Sequence, residues 1–178
     1  MLEEIIIAGF GGQGVMSMGQ LLAYAGMLEN KQVAWIPSYG PEMRGGTANC
    51  AVTISNMEIS SPLVTEPSVC IVMNKPSLEK FEPTIKTGGL LFINSSLIDT
   101  KPQRQDIRFY EIPANKIANE IGNSKVANMV MLGAVLQIIK AVDPESILES
   151  LRKVLPSSRH NLIPLNAQAL EKGAAIVR

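Results

Sequence analysis

The stretch "EIIIAGFGGQGVMSMGQLLAYAGM", residues 4–27, decides how this chain reads. Residues 4–8, which suit a buried strand, run into glycines at 9, 11, 12 and 14. After them, Val15, Met18, Leu22 and Ala25 recur at helical spacing. Strand, glycine-rich turn, helix is the opening of a βαβ unit. The helix carries a second pattern, the small residues Gly19, Ala23 and Gly26, which lets it lie close against a sheet. So many glycines in one turn are costly, because glycine loses the most backbone freedom on folding. Something must come close to that backbone.

Working outward, the chain alternates strand and helix signals. "QVAWI" (32–36) reads as the second strand. "ANCAVTIS" and "MEIS", flanking Ser55-Asn56, read as a hairpin over about 48–60. Further strands are expected at 69–73, 89–95 and 107–112. Helices are expected at 13–29, 76–83, 114–121 (stopped by Gly122), 125–140, 144–154 behind Asp143-Pro144, and about 161–173. The order implies a doubly wound, Rossmann-like α/β sandwich, its sheet mostly parallel with an antiparallel hairpin portion. With no internal repeat or linker, residues 1–178 are expected to form a single domain.

The 178 residues are enough for a sizeable core, and 46% hydrophobic against 18% charged side chains describes a globular chain. Sixteen basic and sixteen acidic residues cancel, which argues against a nucleic-acid partner. Two isolated cysteines, Cys50 and Cys70, cannot make a cysteine cluster and read as free buried thiols. A lone histidine, His160, gives no basis for a metal site or a triad. The acidic "MLEE" start and the short apolar run 126–139 give no secretion signal and no bilayer span, so a cytoplasmic protein is expected.

Gly9, Gly11 and Gly14 make G-x-G-x-x-G, with Gly12 as a fourth glycine and Gln13 among them. Such a loop offers backbone N–H groups and a helix N-terminus to an anion. A dinucleotide would also want an acid at the end of the second strand, but Ile36, Pro37 and Ser38 stand there. Three readings stay open at this point: a phosphate or other anion, a dinucleotide, or glycines that serve packing alone. Asn94 and Ser95 end a later strand at the same sheet edge and join the ligand-binding candidates. "PSYGPEMRGGTANC" (37–50) follows the second strand, so Ser38, Tyr39, Glu42 and Arg44 are candidates for contact with another subunit. Glu42 and Arg44 can equally pair with each other. No residue is assigned as catalytic.

Taken together, "GFGGQGVMSMGQLLAYAGM", "SYGPEMRGGTANCAVTIS", "MNKPSLEKF" and "GGLLFINSSL" resemble the gamma subunit of the 2-oxoacid:ferredoxin oxidoreductases. The similarity runs over about residues 3–140, and the Gly40–Gly46 stretch leans toward the 2-oxoglutarate branch, which forms succinyl-CoA. The resemblance implies a complex that uses thiamine diphosphate, iron–sulfur clusters and CoA. It implies alpha, beta and delta partner subunits that hold the first two, ferredoxin as acceptor of the complex, and no cofactor bound by this chain alone. It also implies a role in assembly and in the region where CoA enters, with no activity of the isolated chain. A homodimer is compatible with the neutral charge. The rival reading is a stand-alone Rossmann-type nucleotide-binding protein or enzyme.

Overall fold

The computed structural model describes residues 1–39 and 47–178. Its strands are β1 (Leu2–Phe10), β2 (Gln32–Tyr39), β3 (Thr47–Ser55), β4 (Val69–Val72), β5 (Leu90–Asn94) and β6 (Arg108–Ile112). Its helices are α1 (Val15–Leu28), α2 (Lys75–Phe81), α3 (Ala114–Ile121), α4 (Ala127–Ile139), α5 (Pro144–Val154) and α6 (Ile163–Ile176). The strands form one sheet in the order β2-β3-β1-β4-β5-β6. β1, β4, β5 and β6 pair in parallel, and β3 is antiparallel to both β1 and β2.

The antiparallel portion is where expectation and structure part. "ANCAVTIS" forms most of β3, but "MEIS" forms no strand, and Met57 is 75% exposed. β3 instead pairs along its whole length with β1, from Phe10↔Thr47 to Leu2↔Ser55, and with β2, from Tyr39↔Ala48 to Gln32↔Ser55. Two long ladders bury Cys50, Val52 and Ile54 against α1, which a four-residue partner could not match.

The two sheet faces are covered differently. One face carries α1 and α3 to α6 over a large core built on Ile5, Ile7, Val52, Ile71 and Phe92. α4 is buried on every side from Met129 to Leu136, as a helix apolar all round must be. α6 crosses it so closely that a Cβ on Gly133 would enter the Leu170 carbonyl, and one on Gly173 the Val130 carbonyl. The other face has a smaller core of Ile6, Cys70, Val72, Leu78, Leu91 and Ile93, covered by α2 and by Ile85, Ile98 and Ile107 from connecting segments.

Candidate functional site

The carboxyl ends of β1, β4 and β5 meet at one edge, the place where open α/β sheets bind ligands. β1 leaves the sheet at Phe10, and the chain turns through Gly11–Gly14 into α1. Gly12 (φ +90) and Gly14 (φ +77) hold the left-handed backbone that the turn needs. Gly11 does not: its φ lies outside the left-handed range, and a Cβ there would meet none of the described residues within 4 Å. Gly9 is forced by contact instead, since a Cβ would press on Gln13, Met73 and Val15.

Gln13 is a brace. Its Oε1 accepts the Phe10 N–H (2.6 Å), and its Nε2 donates to the Met73 carbonyl (3.2 Å), which ties the loop to the end of β4. α1 starts at Gly14 with no side-chain cap and no acidic residue in its first turn. Its partial positive end is therefore left for something else.

What faces that end comes from far along the chain. Gly12, Gln13 and Met73 line a narrow cleft of about 100 Å³ whose opposite wall is Asn115, Ser124, Lys125 and Asn128. Asn128 lies so close to Gly14 that any Cβ on that glycine would strike it. Lys125 is exposed and, among the described residues, enters no ion pair. Glycine N–H groups, an uncapped helix end, one ammonium and neutral amides form a donor set suited to an anion such as phosphate. None of the four residues on the far wall was a sequence-based candidate. The available signal was a polar run, Asn123-Ser124-Lys125, stopping one helix and opening the next.

Asn94 is fully buried and structural. Its Nδ2 donates to Asn115 Oδ1 (2.7 Å), and its Oδ1 accepts the Ser96 N–H (3.3 Å). It thereby positions Asn115 rather than touching the cleft. Ser95 lines a neighbouring open cleft with Ser96, Asn115, Lys116 and Asn119. Asn115 stands between the two clefts.

Ser38 is exposed near the end of β2, and Tyr39 is the last residue of that strand. Because Phe10 pairs with Thr47 and Tyr39 with Ala48, the ends of β2 and β3 flank the same edge as the glycine loop. Glu42 and Arg44 lie outside the described residues. For the dinucleotide reading the topology adds a second difficulty: antiparallel β3 stands between β1 and β2, where that reading wants neighbours.

Cys50 and Cys70 are buried free thiols in different cores, so one cluster cannot use both. Burial pushes the Cys50 thiol up to about 11 and Cys70 higher still. No group of three or more His, Cys, Asp or Glu side chains comes together as a metal site among the described residues. His160 Nε2 lies 3.0 Å from the Leu155 carbonyl, a local contact. No helix among the described residues is long and apolar enough to cross a membrane.

The family model described as pyruvate ferredoxin/flavodoxin oxidoreductase matches residues 4–176. The chain belongs to this family. It is 40% identical over 172 residues to ketoisovalerate oxidoreductase subunit VorA of Methanothermobacter marburgensis, a match that covers 96% of this chain and 36% of that one. The chain thus spans about a third of that relative's length. It is 34% identical to 2-oxoglutarate synthase subunit KorC of Methanocaldococcus jannaschii, covering 100% of this chain and 95% of the relative. Among solved structures, the gamma subunit of a keto/oxoacid ferredoxin oxidoreductase from Geobacter sulfurreducens superimposes with TM-score 0.82 at 28% identity, covering 98% of both chains. The sheet and helix layers of this oxidoreductase-family chain are those of a gamma subunit.

Proposed function

We propose that this chain works as the gamma-type subunit, a single domain, of a cytoplasmic 2-oxoacid:ferredoxin oxidoreductase. In this reading the thiamine diphosphate and the iron–sulfur clusters belong to alpha, beta and delta partners, and this chain contributes structure and a binding edge. The observation that carries the reading is agreement with a gamma subunit over nearly the full length of both chains. The two named relatives divide between ketoisovalerate and 2-oxoglutarate. The motif that favoured 2-oxoglutarate, Gly40–Gly46, lies outside the described residues, so the substrate class stated here is a 2-oxoacid.

The ligand we assign to the glycine-loop edge is a phosphate of CoA. The donor set fits: the Gly11–Gly14 backbone and the uncapped start of α1 on one wall, with Lys125 and Asn128 on the other. CoA, when bound, supplies the thiol that takes up the acyl group. Gln13 and Asn94 hold the two walls in register.

The test is to co-purify the tagged chain with its native partners and assay viologen reduction with 2-oxoglutarate, ketoisovalerate and pyruvate, each with CoA. The complex should turn over one of them, and the isolated chain none. Turnover by the pure chain, or failure to recover any partner, overturns the subunit reading. For the CoA site, Lys125→Ala in the complex should weaken CoA binding, measured by calorimetry, by about 5- to 30-fold, the worth of one charge-assisted contact. Unchanged CoA affinity would remove Lys125 from the site. A melting shift of the isolated chain with NAD or FAD would favour the stand-alone nucleotide reading.

A further inference from the structure

Among the described residues, the sheet face opposite α1 is left open over β2 and over the upper parts of β3 and β1, while Thr53 and Ser55 on β3 and Ile6 and Ala8 on β1 are buried on the same side. Odd-numbered residues of β2 and even-numbered residues of β3, such as Trp35, Cys50 and Val52, point under α1. Their alternates therefore point the other way. These include Ala34, Ile36 and Ser38 on β2, Asn49 and Ala51 on β3, and Phe10 at the top of β1. The small core on this side draws on Ile6 and Ala51 but on no residue of β2. Phe10 remains 37% exposed, and the other five are half-buried or exposed.

This surface is unusual in what it lacks. None of the eight residues of β2 or the nine of β3 is charged, in a chain that is 18% charged. Among the described residues β2 is also the edge of the sheet, with Pro37 within it. Solvated sheet faces and free edges normally carry charges, lysine above all. Depletion of charge is instead the mark of the buried centre of an interface.

We infer that the uncharged β2–β3–β1 face docks the partner subunit that closes over the glycine-loop cleft, through a neutral and mostly apolar surface of that partner. This rests on the subunit reading above. Two observations select that occupant over a second copy. First, three full strands of eight or nine residues would span about 26 Å by 14 Å, roughly 400 Å² in projection, and the open part is smaller because the lower parts of β1 and β3 are covered. A two-fold copy would then cover less than about 800 Å², short of the about 1,200 Å² at which stable interfaces begin. Second, among the described residues the face continues into the ligand edge, because Phe10 belongs to both and Ser38 and Asn49 pair beside it. A larger partner that covers the face also reaches the cleft.

The experiment uses the complex recovered with the tagged chain. Ser38→Arg and Asn49→Lys place charge on the face at sites that are not buried, and Glu171→Lys on α6 is the control. Partner binding by Ser38→Arg and Asn49→Lys should fall at least about tenfold, with the melting temperature of the lone chain unchanged and Glu171→Lys binding as wild type. Equal binding by all variants overturns the docking face. A wild-type chain that dimerises alone, with dimerisation rather than partner binding lost in the variants, overturns the choice of occupant. A wild-type chain that recovers no partner brings down the subunit reading, and this inference with it.

Discussion

Two sets of glycines in this molecule face different neighbours. Gly133 and Gly173 lie where α4 and α6 cross, and each occupies the space beside a carbonyl of the other helix. The glycines of the β1–α1 loop sit at a sheet edge, and among the described residues nothing comes within 4 Å of the place a Cβ on Gly11 would take. At the crossing the missing side chain is consumed by the protein's own backbone. At the loop the room is left open beside a cationic cleft. Glycine content alone does not distinguish the two uses, and only the loop lies at the edge to which we assign a ligand.

Substitution separates them. Gly133→Ala and Gly173→Ala should have the largest effect, because the obstructing atoms are backbone and cannot swing aside. Overpacking of that kind costs about 3 kcal/mol or more, and the melting temperature should fall by about 10 °C. A shift below about 3 °C would mean that the helices separate freely and that the crossing is not tight. Gly14→Ala comes next, at about 1–3 kcal/mol, from left-handed strain plus collision with Asn128. Gly11→Ala should leave the melt within about 0.5 kcal/mol of wild type. It should still weaken CoA binding by the complex if the loop backbone approaches a phosphate. Equal melts for Gly14→Ala and Gly11→Ala would erase the distinction drawn within the loop.

An effect between those of Gly14→Ala and Gly11→Ala belongs to the other end of α1, which the protein closes with its own atoms. Glu29 accepts the Asp143 N–H (2.7 Å) and pairs with Lys31 (2.7 Å), and Lys31 also donates to the Ala141 carbonyl (2.6 Å). Burial pushes the Glu29 carboxyl up, but the bonds from Lys31, Asp143 and Ser146 outweigh it and hold the group below its usual range. Its folded value is therefore lower than its unfolded one. The stabilisation is complete above the ordinary carboxylate range and is lost as pH falls through the folded value. Glu29→Gln should cost about 1 kcal/mol at pH 7 and flatten the loss of stability between pH 5 and 3. Parallel melting curves for the two proteins across that range would show that the tie carries no weight.

The layout of β1, the loop and α1 was readable because each signal is local: an apolar run, a glycine turn, a 3.6-residue period. The hairpin assigned to 48–60 failed for the opposite reason. "ANCAVTIS" announces a strand, yet its partners begin 53 and 23 positions earlier, at Leu2 and Gln32, and no local pattern fixes a distant register. The site divides in the same way. Gly12, Gln13 and Gly14 were legible as a loop at a sheet edge. Asn115, Ser124, Lys125 and Asn128 were not, since nothing near them in sequence says that α3 and α4 start beside residue 12. Asn94 was read as a ligand candidate and bonds to Asn115 and Ser96, since a polar residue ending a strand looks alike whether it meets a ligand or another amide.

The two cysteines give the molecule a pair of built-in clocks. Cys50 lies between α1 and the sheet, Cys70 within the smaller core behind it, and both thiols are fully shielded. Burial raises both pKa values and keeps the thiols protonated near neutral pH, so a thiol reagent can react only during an opening that lets water reach them. The rate at Cys50 times the lifting of α1, and the rate at Cys70 times exposure of the opposite layer. Without any added label, the unmodified chain can therefore report which side of its sheet loosens first when a neighbouring subunit is removed.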